Sequence, residues 1–77
     1  MSKIVIGGIE MTKAAAENVR ETGIDPLDDV DDVREGRHTE ESLLDLCLDG
    51  AADDRVDGWR DYVAAVVAAA SVPEVAS

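Results

Sequence analysis

The side chains able to do chemistry in this chain are mainly carboxylates, and their spacing favours presenting charge over catalysing a reaction. The densest run is Asp28-Asp29-Val30-Asp31-Asp32. A calcium loop of the EF-hand type needs alternating oxygen ligands, a glycine at its sixth position and a glutamate at its twelfth. No register of this run supplies that pattern. Wound into a helix, its carboxylates point in different directions around the axis. Diffuse cation attraction is expected, without a dedicated metal site. His38 and Cys47 are the only histidine and the only cysteine, so there is no metal-ligand spacing to evaluate. To act as a nucleophile pair they would have to meet in space, whereas Cys47 falls on the apolar stripe of its helix, as a core thiol does. General acid–base work needs a carboxyl held in a pocket with a raised pKa, and a short, alanine-rich chain has little wall to build one. Gly7-Gly8 lacks the Lys and Ser or Thr of a phosphate loop. The expectation is a protein that is not an enzyme and carries no cofactor.

The charge itself is unevenly placed. The chain has 77 residues and a formal net charge of −11. Up to Ile24, three glutamates are balanced by Lys3, Lys13 and Arg20. From Asp25 to Asp61, fourteen acids face only Arg34, Arg37, Arg55 and Arg60, which leaves −10. Such a block makes a strong local field. Duplex DNA carries one negative charge per roughly 1.7 Å of axis, so direct nucleic-acid binding is the first function to exclude. Thr12 to Val33 does read as helix, glycine-containing turn, helix. The would-be recognition helix, Asp25 to Glu35, nevertheless carries six acids and one arginine, where base and phosphate readers need Arg, Lys, Asn or Gln.

The elements that carry these residues follow from caps and periodicity. Lys3-Ile4-Val5-Ile6 is β-branched and reads as a short strand, residues 3–6, buried on both faces. No second strand is evident downstream, so this one either pairs with another copy or a partner's sheet edge, or packs on the helices as an extended arm. Thr12 caps a first helix through Thr22, with Gly23 as its stop. Asp25 and Pro26 are a natural N-cap and first residue of a short second helix ending at Gly36, with Leu27, Val30 and Val33 as a thin apolar stripe. Thr39 caps a third, whose buried stripe is Leu43, Leu44, Cys47 and Leu48, ending at Gly50. Asp53 or Asp54 begins the longest helix, where Val56, Trp59, Val63, Val66, Val67 and Ala70 recur at spacings of three and four. Pro73 ends it.

The fold class is therefore mainly α: a small bundle of three to four short helices with a short N-terminal strand. One domain spans residues 1–72, with 73–77 a frayed tail. With one Trp, one Tyr and no Phe, the core gains little from each burial, and a 77-residue chain is marginal in any case. The longest apolar run, Val63 to Ala70, is far short of the ~18 residues a membrane span needs. Nothing at the amino end has the make-up of a signal peptide, and a single cysteine fits a reducing compartment. A cytoplasmic location is expected.

These features point to a small acidic protein-interaction module whose partner is a protein with a basic surface. The residues expected to meet it are Asp25, Asp28, Asp29, Asp31, Asp32 and Glu35 on the second helix. Asp53, Asp54 and Asp57 join them at the start of the fourth. Tyr62 lies near the edge of the apolar stripe, where an aromatic side chain is a frequent interface anchor. A homodimer through the N-terminal strand or the last helix is a further expectation. The second helix carries a net −5 over eleven residues, or one charge per roughly 3.3 Å at a rise of about 1.5 Å per residue. A single DNA strand presents one per about 3.4 Å. In composition the chain resembles phage-borne DNA mimics, anti-restriction proteins and anti-CRISPR proteins, and the resemblance implies a viral inhibitor that occupies the phosphate track of a nucleic-acid-binding protein. The alternative rests on eleven Asp to seven Glu, two Lys and a core of Ala and Val. That composition resembles proteins of salt-loving archaea and implies a halophilic or viral structural subunit whose acidity is solvent adaptation. The two differ in layout: functional charge clusters on one face, and adaptive charge covers the whole exterior.

Overall fold

The structure is a computed structural model that describes residues 3–71; the expected end at Pro73 and the tail at 73–77 lie outside the described residues. The chain opens with a β-hairpin, not a lone strand. β1 (Ile4–Ile6) pairs antiparallel with β2 (Ile9–Met11), with Ile6 opposite Ile9 and Ile4 opposite Met11. The connection is Gly7-Gly8, at φ 60° and 81°. A two-residue turn with φ > 0 at both positions matches the right-handed twist of the strands, and two glycines adopt it without steric cost. This corrects the reading of an unpartnered strand buried on both faces. Ile9 and Met11 are buried and Ile4 and Ile6 half-buried, whereas Val5 is 60% exposed. The hairpin has one face on the helices and one on solvent.

Four helices follow: α1 (Lys13–Thr22), α2 (Pro26–Arg34), α3 (Glu40–Leu48) and α4 (Val56–Ser71). Their starts are where the local chemistry places them. The Thr12 Oγ1 accepts from the Ala15 N–H at 3.2 Å, and Asp25 Oδ1 accepts from Leu27 N–H at 3.1 Å. Thr39 and Ser42 cap α3 reciprocally, each hydroxyl accepting from the other's backbone N–H. Gly23 closes α1. A single 3₁₀ turn, Asp53–Arg55, leads into α4, so the last helix proper begins a few residues after the expected Asp53 or Asp54.

α4 is the central element and packs on α1, α2, α3 and β2. Its buried side is Trp59, Tyr62, Val63 and Val66, set among Ile9, Met11, Ala15, Ala16, Val19, Val30 and Leu43. The stripe expected on α3 holds, with Leu43 buried and Leu44, Cys47 and Leu48 half-buried. The stripe expected on α2 is shifted. Leu27 is 49% exposed, and Pro26 is buried in its place beside Val30. Among the described residues no helix is long and apolar enough to cross a membrane.

α1 and α4 approach closely at Gly58. A Cβ at that position would stand 2.5 Å from Asn18 Nδ2 and 2.8 Å from the Ala14 carbonyl oxygen. Side-chain absence at residue 58 lets the two backbones meet. Asn18, itself buried, then reaches across to donate from Nδ2 to the Arg55 carbonyl at 3.0 Å, which fixes the entry into α4.

Candidate acidic interaction face

The acids expected to meet a partner divide into those that hold the fold and those that do not. Asp25 is the N-cap of α2. Asp29 is half-buried and accepts a hydrogen bond from the Tyr62 hydroxyl. Asp32 and Glu35 both reach Arg37, at 3.2 and 3.3 Å, in exposed ion pairs. Asp28, Asp31, Asp53, Asp54 and Asp57 are exposed, and among the described residues their carboxylates take part in no hydrogen bond or ion pair.

Local geometry explains the arrangement on α2. At about 100° per residue, Asp28, Asp31, Asp32 and Glu35 fall within a single arc of roughly 100°. That arc lies opposite the buried pair Pro26 and Val30. Asp29 is off the arc, turned toward α4, and is therefore the one acid of the helix drawn into the interior.

Tyr62 is corrected. Read as an edge residue available to a partner, it is 0% exposed, stacked edge-on to Trp59 with ring centroids 5.5 Å apart. Its phenol would be an orphaned donor without Asp29. Burial first, then the hydrogen bond and charge of Asp29, hold the Tyr62 hydroxyl well above its ordinary pKa. Cys47 is half-buried, and burial, with a smaller contribution from Asp29, pushes its thiol up to about 11. At neutral pH it is a thiol and a weak nucleophile. His38 sits against Ser42, with Nδ1 and Oγ 3.2 Å apart, on the cap of α3.

Exposed acids also lie where none was singled out. Glu40, Glu41, Asp45 and Asp49 of α3 and its end are all exposed. The signal for Glu41 and Asp45 is their four-residue spacing on the side of α3 away from Leu43 and Cys47.

α1 and the later turns of α4 are different. On α1 the exposed charges are Lys13 and Arg20 against Glu17 and Glu21. Both glutamates face Arg55, at 3.8 and 2.5 Å. Asp61 accepts from the Thr12 hydroxyl at 2.9 Å. Beyond Asp61, the exposed positions of α4 are Ala64, Ala68 and Ser71. The excess of negative charge belongs to α2, α3 and the lead-in to α4, and does not cover the exterior evenly. No family model, curated protein or solved structure matches this chain.

Proposed function

We propose that this chain is a small protein-interaction module whose acidic face binds a basic protein surface, acting as an inhibitor that stands in for nucleic acid. The observation that supports the reading is the uneven layout of charge. Exposed carboxylates without partners lie along α2, α3 and the 3₁₀ turn, while the hairpin, α1 and the later turns of α4 are balanced or uncharged. Leaving like charges unpaired on one side of a marginal domain costs stability through self-repulsion. A partner rich in Lys and Arg would relieve that repulsion on binding. Association would be fast and would weaken steeply with salt.

The test is capture of the bound protein from the source organism, its identification, and competition with duplex DNA. The reading expects a basic nucleic-acid-binding protein that DNA displaces. Capture of a structural or enzymatic subunit held through the apolar face of α4, indifferent to DNA and salt, would overturn it.

A further inference from the structure

Beside α3, where the α1–α2 connection and the first turns of α4 meet it, lies an apolar hollow of about 360 Å³. Leu43, Leu46 and Cys47 of α3 line it, with Trp59 of α4 and Ile24 and Ala51 from the connecting segments. Leu46 is 59% exposed beside it. Single exposed leucines are ordinary, but this one continues an apolar surface that runs down to an indole. The polar residues of the lining are Thr22, Asp29 and Asp49, and no basic residue is among them. Asp45 stands one turn before Asp49, also exposed.

We propose that this hollow is the anchor pocket for a basic amphipathic helix of a protein partner. The proposal rests on the acidic-face reading and adds the kind of segment that binds there. A polycation without apolar side chains would meet the carboxylates but leave Leu46 in water. An uncharged apolar ligand would fill the hollow but leave Asp49 at its edge, and Asp45 one turn before it, without counter-charge. A helix with large aliphatic side chains at i, i+3 or i+4 and i+7, flanked by Lys and Arg, satisfies both, which is the helix-in-groove mode of recognition. The aliphatic anchors act as the hot spot, and the charged rim sets the rate of encounter and the choice of partner. The hollow between the hairpin and α4, lined by Lys3, Glu10 and Asp61 beside Ala64 and Ala68, mixes both signs of charge and selects no such partner.

The experiment adds a synthetic basic amphipathic helix of about four turns to the ¹⁵N-labelled full chain at low salt. Binding is followed by Trp59 emission and by amide shifts. A second peptide keeps every Lys and Arg but carries Ala at each anchor position. The proposal expects saturable binding, with the largest shifts at Ile24, Leu46, Gly50 and Ala51. The anchor-free peptide should bind at least about tenfold more weakly, because each lost aliphatic anchor removes buried apolar surface. Leu46→Asp should weaken the first peptide to a similar degree, and the shift map gives the same answer without any substitution. Equal binding of the two peptides would overturn the pocket and leave the acidic-face reading standing, whereas shifts centred on the hairpin and Ala64 would overturn both. If neither peptide binds at low salt, both fall.

Discussion

Where α1 meets α4, polar groups find each other. Asn18 spans to the Arg55 carbonyl, the Arg55 guanidinium faces Glu17 and Glu21, and Thr12 donates to Asp61. Where α2 and α3 flank α4, the carboxylate drawn into a buried contact is that of Asp29, and the carboxylates of its exposed neighbours Asp28 and Asp31 bond to nothing among the described residues. The contrast separates two tasks within one short chain. The first region supplies close packing and paired charge, which hold the fold. The second supplies charge left over from folding, and Tyr62–Asp29 ties it to the frame.

The comparison breaks most readily at Gly58. Helix propensity alone says that Gly58→Ala stabilises α4 by up to about 1 kcal/mol. The close approach to Ala14 and Asn18 says the reverse, a loss of about 1–3 kcal/mol from overpacking. That is a large part of the roughly 4–12 kcal/mol available to a domain of this size, and urea unfolding reads its sign directly. Next is Tyr62→Phe, which leaves a half-buried carboxylate without its donor and should cost about 1–2 kcal/mol, measured the same way.

The same residue sharpens the comparison through pH. Cys47 and Tyr62 have ordinary values of 9.0 and 10.0, and both are raised in the folded chain. The folded state keeps protons that the unfolded state releases, so stability is intact below about pH 9 and falls as pH rises through the folded values. Tyr62→Phe should flatten the part of that fall that begins near pH 10. An unchanged slope in alkaline denaturation would mean that Tyr62 does not carry this pH dependence.

The smallest effects belong to the acidic arc. Asp28→Asn and Asp31→Asn should each change stability by no more than about 0.5 kcal/mol. Together they should slow association with a basic partner at low salt, as stopped-flow mixing would show. Arg37→Ala, which breaks two exposed ion pairs, should likewise cost under about 0.5 kcal/mol. A cost well above that would mean that the second region helps to hold the fold.

What was legible in the sequence was what depends on neighbours along the chain. Thr12, Asp25 and Thr39 each bond to a backbone N–H two or three residues ahead, so the caps and starts of the first three helices could be read from the residues alone. The hairpin also had a local signal, two glycines between β-branched or apolar triplets, but Ile9-Glu10-Met11 is too short to register as a strand without its partner. Gly58 and the Tyr62–Asp29 bond depend on residues that meet only after α4 crosses α1 and α2, and no spacing announces that. Tyr62 illustrates the limit: three residues after Trp59 on a helix that other elements surround, it is as buried as the stripe it flanks. Which acids face solvent on α2 follows from the helical period once Val30 is known to be inside. Which of them already have partners does not, because Arg37 returns from beyond the end of the helix.

The proposed function requires that the fold stand on the paired region and leave the acidic face free for a partner. Unfolding by circular dichroism, with KCl raised from a few millimolar to molar, tests it most directly. The expected result is a folded helical chain at low salt, with a midpoint that rises only modestly as salt screens the repulsion among Asp28, Asp31, Asp53, Asp54 and Asp57. A chain that stays unfolded until molar KCl is reached would contradict it and make the acidity an adaptation to salt.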